Sequence, residues 1–341
     1  MPRSVLSLAL FLYLSSIAAL PAHGRQEEEV ILDNGLKVLL LENHKSPAVT
    51  FQIWYRVGSR DEMDGKSGLS HYLEHMMFKG TSKIGPEQYF RIITKNGGRS
   101  NAFTMPDATV YFATMSRDKI GIAIELEADR MANARLDGAY FEPEKKVVLE
   151  ERRLRTEDNP SSALSEVTSA VAYTVHPYRR PVIGWMEDVR NLSPEDLKRY
   201  YDTYYIPNNA FLVVVGDFTR TKILAKIEHA FGKIQRGPKP PMMRIKDPPQ
   251  MGERRVLLKK EAELPILHIY YHAPNLGHQD SIALDLLEVI LAGGRSSRLY
   301  QDLVYRRRLA REVSVHYRRL SIDPTIFSIT ARPCRGKVHW K

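Results

Sequence analysis

The sequence predicts an α+β protein on three observations. Of its 341 residues 43% are hydrophobic and 26% charged, proportions that build a buried core and rule out a disordered chain. Runs rich in β-branched and aromatic residues bunch ahead of long stretches with helical periodicity, the segregated pattern of α+β architecture. A proline-rich segment over residues 237–249 then divides the chain into units 25–236 and 250–341, because repeated prolines favour an extended, semi-rigid linker.

In order, residues 29–32 and 36–41 flank Asp33, Asn34 and Gly35, a hairpin signal in which the Asn-Gly pair supplies positive φ. Residues 49–57 (VTFQIWYRV) read as a third strand by composition. The polar loop 58–67 leads into a helix over 69–78. Residues 86–96 form a second helix, started by Gly85 and Pro86 and stopped by Gly97 and Gly98. The segment 107–115 alternates like a strand, and 118–133, 142–156 and 161–175 have helical periodicity. Ser193, Pro194 and Glu195 are a cap-and-proline start for a further helix. The apolar run 211–215 reads as a buried strand, and 222–231 as its closing helix. After the linker, 255–259 and 266–272 read as strands, 282–292 as a helix, and 293–297 as a turn into 298–304. The unit after Pro249 is less than half as long as the one before it, so it reads as cut short.

Residues 71–75 are His-Tyr-Leu-Glu-His. On a helix His75 lies about 40° and Glu74 about 60° from His71, with the imidazoles about 6 Å apart. All three share one face. Leu69, Tyr72, Leu73, Met76 and Met77 take the other side, at about 100° to 240°, and anchor the helix in a core. Two neutral imidazoles can occupy two corners of a tetrahedral Zn²⁺, and a carboxylate beside them, not itself a ligand, is placed to take a proton from water. An amphipathic helix that merely carries two His and one Glu is the competing reading. The joint H-x-x-E-H pattern, about 1% by chance in a chain of this size, disfavours it, and it is the inverse of the H-E-x-x-H zinc-peptidase motif.

A catalytic zinc needs a third protein ligand. Glu144 and Glu151 sit within about 20° of each other on one helix but about 10.5 Å apart along its axis, so one can bind and the other support from further out. Spacing alone leaves Glu150 and Glu151 both open.

Net charge is +10, yet the 50 basic residues are spread among 40 acidic ones. Arg306 to Arg308 and the pair Arg318 and Arg319 are the densest runs, and no nucleic-acid-binding motif accompanies them, so no nucleic-acid partner is expected. Cys334 is the only cysteine, which excludes an intrachain disulfide. Residues 1–24 read as a secretory signal, with Arg3, an apolar run over 5–20, and Ala22, His23 and Gly24 as a small-x-small cleavage site. That predicts export to a bacterial periplasm or outside the cell, with no membrane-spanning segment after cleavage.

The segments HYLEHMMFKGT (71–81), GGRSNAFT (97–104), VVLEE (147–151) and HPYRRPVIG (176–184) together resemble the pitrilysin/insulinase family of zinc metallopeptidases, in particular its shorter, processing-peptidase-like branch. The resemblance runs from about Val30 to the end. It implies a domain with a mixed sheet and flanking helices, followed by a second, truncated domain of the same type. It implies a zinc endopeptidase acting on unfolded or extended polypeptides. Glu151 stands at the family's spacing for the third zinc ligand, which makes Glu144 its outer partner, and Glu74 matches the catalytic base. Asn101 and Ala102 match an edge strand that pairs with extended substrate through backbone hydrogen bonds.

One departure matters. Family members that act alone carry an Arg and a Tyr seven residues apart in the later half, and the matching positions here are Val304 and Arg311. The resemblance therefore implies that this chain is the zinc-bearing half of a pair, a second subunit or a second copy supplying the missing residues. A non-catalytic assembly subunit of the same fold is the alternative. The intact His71, Glu74, His75 and Glu151 argue against it, and the short second unit argues for it.

Overall fold

The protein is described by a computed structural model of residues 28–136 and 138–334; the expected signal segment lies outside the described residues. Strands β1 (Glu28–Ile31) and β2 (Lys37–Glu42) form the expected hairpin, with Glu28 opposite Leu40. Its turn is longer than an Asn-Gly turn alone: Leu32 N–H reaches Leu36 O at 2.9 Å, and Gly35 has φ +86°. The Asn34 amide leaves the turn and donates to Phe231 O (2.8 Å) and Ile234 O (3.0 Å), so the hairpin is tied to the end of a distant helix.

Strands β3 (Ala48–Tyr55), β4 (Arg99–Thr104), β5 (Thr109–Ser116) and β6 (Ala210–Gly216) complete a six-stranded sheet in the order β1-β2-β6-β3-β5-β4. Only β2 and β6 run parallel, so the sheet is mixed. In β3, Val49, Phe51, Ile53 and Tyr55 alternate into full burial, which fixes its register because a one-residue slip would expose all four. Among the described residues β4 pairs with β5 alone, which makes it an edge.

Helices α1 (Leu69–Met76), α2 (Gln88–Lys95) and α3 (Ile120–Asn133) follow the expected order. α4 (Gly138–Arg152) starts before the expected residue 142 and carries Pro143 inside it, then widens into a π turn over Arg153–Glu157. α5 (Pro160–Ala172) is capped by Asn159. The short α6 (Met186–Arg190) was not expected, and α7 (Pro194–Tyr204) begins with a Ser193–Asp196 capping box. α8 (Arg220–Phe231) closes the first core, which gathers β2, β3, β5 and β6 with the apolar sides of α1, α3 and α8. Within it the Arg130 guanidinium lies 4.6, 4.4 and 4.3 Å from the ring centres of Phe78, Tyr89 and Tyr111 and donates to Glu127 at 2.6 Å. A fully buried cation is tolerable there because both a carboxylate and three ring faces meet it.

The expected strand at 255–259 does not form, and the chain has no helix or strand from 237 to 266. Val256 and Leu257 stay exposed, and no strand of the described residues pairs with this segment. A second sheet, β7-β9-β8, is built from β7 (Leu267–Ala273), β8 (Ala310–Tyr317) and β9 (Thr325–Pro333), with α9 (Ser281–Ala292) against it. Its core is small, centred on Ala273, Val315, Tyr317 and Phe327. No helix of the described residues is long and apolar enough to cross a membrane.

The HPYRRPVIG segment joins the two sheets. His176 Nδ1 accepts from Tyr178 N–H at 3.2 Å, so Nε2 carries the proton and donates to Asp323, also at 3.2 Å. Asp323 accepts as well from Arg60 Nε at 2.7 Å. The Tyr178 hydroxyl meets Asp107 at 2.7 Å, and Asp107 takes the Ile322 N–H at 3.2 Å.

Candidate metal centre

The helix that bears His71, Glu74 and His75 is held at its start by a residue several positions earlier. Glu62, fully buried, accepts from Gly68 N–H (2.8 Å) and Ser70 N–H (2.7 Å), satisfying donors that the first turn of a helix leaves open. Burial pushes its carboxyl up to about 8 against the pull of those two bonds. Gly68 (φ +91°) and Gly184 (φ +83°) meet back to back. A Cβ on Gly184 would fall 2.4 Å from Ser67 O and 2.6 Å from Gly68 Cα, so only glycine lets the segment pass against the start of α1. Ser67 Oγ donates to Asp188 at 2.6 Å and accepts from Trp185 N–H at 2.8 Å, which closes this clasp.

Below the clasp, Leu69, Tyr72, Leu73 and Met76 are buried, and the Tyr72 hydroxyl donates to Phe141 O on α4. That contact sets α4 beside α1. It brings Glu151 Oε2 to 3.3 Å from His75 Nε2 and 3.9 Å from His71 Nε2. One nitrogen of each imidazole and one oxygen of Glu151 all lie within 4.8 Å of one another. Glu150 faces elsewhere, bonded to Arg153 at 2.6 and 3.0 Å, so the pair left open by spacing separates in space.

Glu144 Oε1 accepts from His75 Nδ1–H at 2.8 Å, which fixes the ring with Nε2 turned toward Glu151. Lys79 Nζ meets the other Glu144 oxygen at 2.8 Å. His71 has no such support: its Nδ1 is buried without a hydrogen-bond partner. Glu74 Oε2 accepts from Thr104 Oγ1 at 2.6 Å. Asn101 and Ala102 lie on the edge strand β4, where the Asn101 side chain accepts from Ala102 N–H at 2.9 Å.

Charge follows from these contacts. Burial and the neighbouring His75 lower the His71 pKa to about 4, which keeps the ring neutral near neutral pH. Burial opposes charge on His75 as well, but its bonds to Glu144 and Glu151 push it up to about 9; a cation bound at Nε2 must displace that proton. Glu151 is lowered chiefly by its bond to His75. Glu74 is raised by burial, against the Thr104 bond. Sequence reasoning missed Thr104, Lys79 and Glu62. Thr104 ends the GGRSNAFT segment and so had a signal, whereas Glu62 lay in a loop with none.

Two imidazole nitrogens and one carboxylate oxygen fit Zn²⁺, which catalytic sites hold by three protein ligands. The donor set and the α+β fold are those of zinc peptidases. The insulinase (peptidase family M16) model matches residues 37–185, and the peptidase M16 inactive-domain model matches residues 191–340. The chain is 36% identical over 333 residues to the zinc protease PqqE of Helicobacter pylori, covering 96% of this chain and 74% of that protein. It is 29% identical over 270 residues to the uncharacterized zinc protease YmxG of Bacillus subtilis, covering 79% of this chain and 65% of that one. The crystal structure of a Helicobacter pylori protease superposes with a TM-score of 0.88 at 35% identity, over 92% of this chain and 76% of that one. Pitrilysin superposes with a TM-score of 0.74 at 21% identity, over 92% of this chain and 34% of that one, a likeness of fold. This chain belongs to the M16 pitrilysin/insulinase family of zinc peptidases.

Proposed function

We propose that the chain is a zinc-dependent endopeptidase that cleaves unfolded or extended polypeptides and is the zinc-bearing member of a two-subunit enzyme. The observation that carries this is the convergence of His71, His75 and Glu151 beside Glu74, from helices distant in sequence. His71, His75 and Glu151 would hold the metal, and Glu144 orients the His75 ring. Zinc supplies Lewis-acid polarisation of water and of the peptide carbonyl when bound. Glu74 takes the proton from the attacking water and returns it to the leaving amine. Thr104 holds Glu74 Oε2 and leaves Oε1 for this exchange. The open edge of β4 at Asn101 and Ala102 takes an extended substrate as an added strand, a mode that reads backbone and tolerates many sequences.

In this reading residues 25–236 form the zinc-bearing domain, 237–249 the linker and 250–341 the second domain. A second family subunit, or a second copy, supplies the Arg and Tyr that Val304 and Arg311 replace. Export to a periplasm or outside the cell follows from residues 1–24.

The test is hydrolysis of an unstructured peptide by the purified chain, alone and with any sibling chain that co-purifies from its source. One zinc per chain, activity abolished by chelator and restored by zinc, and a rise on adding the sibling are expected. Hydrolysis that survives full metal removal, or none in the zinc-loaded pair, overturns the reading.

Thr104→Val removes the hydroxyl but keeps the shape. A base no longer held in place is expected to lower kcat about 10- to 100-fold, with zinc content unchanged and Thr104→Ser restoring most of the rate. Unchanged kcat in the Val variant rejects the positioning role.

A further inference from the structure

The outer side of α4 and its π turn carries an open groove of about 520 Å³ walled by Lys146, Val147, Glu150, Glu151, Leu154 and Arg155. Glu151 is the wall it shares with the metal centre, which sets the groove beside it. Val147 and Leu154, at 49% and 55% exposure, give the groove an apolar floor. Exposed apolar side chains are unremarkable singly; here two line one cavity beside a reactive centre. The helix widens into its π turn just after Glu151, a local irregularity that recurs at functional sites.

The charges at the rim do not balance. Glu150 is taken up by Arg153 at 2.6 Å. Lys146 makes no ion pair or side-chain hydrogen bond among the described residues. Among the described residues Arg155 meets only Glu151 Oε1, at 2.5 Å, from a side chain 75% exposed, and Glu151 Oε2 faces the imidazoles. Glu151 is thus shared between Arg155 and the imidazoles, Glu150 is taken by Arg153, and Lys146 is left unpaired, so the rim carries surplus positive charge over an apolar floor. The chain's net charge of +10 has the same sign.

We infer that this groove is a specificity subsite that receives a bulky apolar side chain next to the scissile bond, with an acidic residue of the same peptide, one or two positions away, paired to Lys146 and Arg155. It deepens the peptidase reading and rests on it by naming the substrate class as acidic, apolar polypeptide segments. The apolar floor supplies the contact area, and the unbalanced cations choose between acidic and basic neighbours.

The test separates this inference from the reading beneath it by measuring binding and cleavage apart. Zinc-loaded Glu74→Gln full-length protein is titrated with two fluorescent peptides that share a Phe and differ only in flanking Glu or Lys. The parent protein, with its sibling subunit where one co-purifies, is assayed on quenched versions of both. A preference of about tenfold for the acidic peptide is expected in Kd and in kcat/KM. Lys146→Glu should abolish or reverse it, and Leu154→Ser should weaken both peptides alike. Both side chains are exposed, so the fold stands, and zinc content reports on the centre. Equal binding of the two peptides, or a preference untouched by both substitutions, overturns the subsite while leaving hydrolysis intact. Absence of hydrolysis with the binding preference retained removes the peptidase reading alone.

Discussion

Glu74→Gln is expected to lower peptide hydrolysis by about 10³- to 10⁴-fold, the upper part of what a positioned general base contributes, and to leave zinc content at the parent level. The amide is nearly isosteric, and its oxygen can still accept from Thr104 Oγ1, which sits 2.6 Å from Glu74 Oε2. What it cannot do is take a proton from water. Glu74 is not among the three donors that converge within 4.8 Å of one another, so the metal does not depend on its charge. The measurement is kcat on an unstructured peptide together with metal content after exhaustive dialysis. A variant that keeps a tenth of the parent rate removes Glu74 from the chemistry. One that loses its metal places Glu74 among the ligands.

That sequence alone exposed the His71, Glu74, His75 face follows from helical periodicity: three polar side chains on one side and Leu69, Tyr72, Leu73 and Met76 buried on the other. Other parts were illegible for physical reasons. β4, with the sequence RSNAFT, has no apolar alternation because it is an edge strand whose side chains are exposed or half-buried; only its likeness to the family marked it. β8 did alternate, with Val313, Val315 and Tyr317 buried, but it follows the basic run at Arg306 to Arg308 and reads as surface. The strand expected at 255–259 had a suitable composition and no partner, and a strand's hydrogen bonds belong to its neighbour. Glu62 caps α1 from a loop, and Arg60 and His176 meet at Asp323 across the chain. Contacts of that range leave no periodic trace. The resemblance selected Glu151 over Glu150; the positions of the two side chains give the choice a physical basis and make it testable.

Glu151→Gln is therefore expected to weaken zinc binding by at least about 100-fold, since even partners behind the ligands account for 10- to 100-fold, and to take hydrolysis down with it. Glu150→Gln should change neither. The contrast rests on adjacent, chemically identical side chains in different surroundings. Glu151 Oε2 lies 3.3 and 3.9 Å from the two imidazole nitrogens, and its bond to His75 holds its pKa below the usual carboxylate range, so it is anionic where a cation would sit. An amide there removes that charge, and it also leaves Arg155, now 2.5 Å from Glu151 Oε1, as an uncompensated positive group beside the site. Both changes oppose a divalent cation. Glu150 loses only an exposed pairing with Arg153, which water replaces. Because a ligand bound only by the folded state stabilises it, the rise in Tm on adding zinc should survive in Glu150→Gln and shrink or vanish in Glu151→Gln. Stoichiometric zinc retained by Glu151→Gln through dialysis, or lost from Glu150→Gln, would show that the third ligand had been assigned to the wrong side chain.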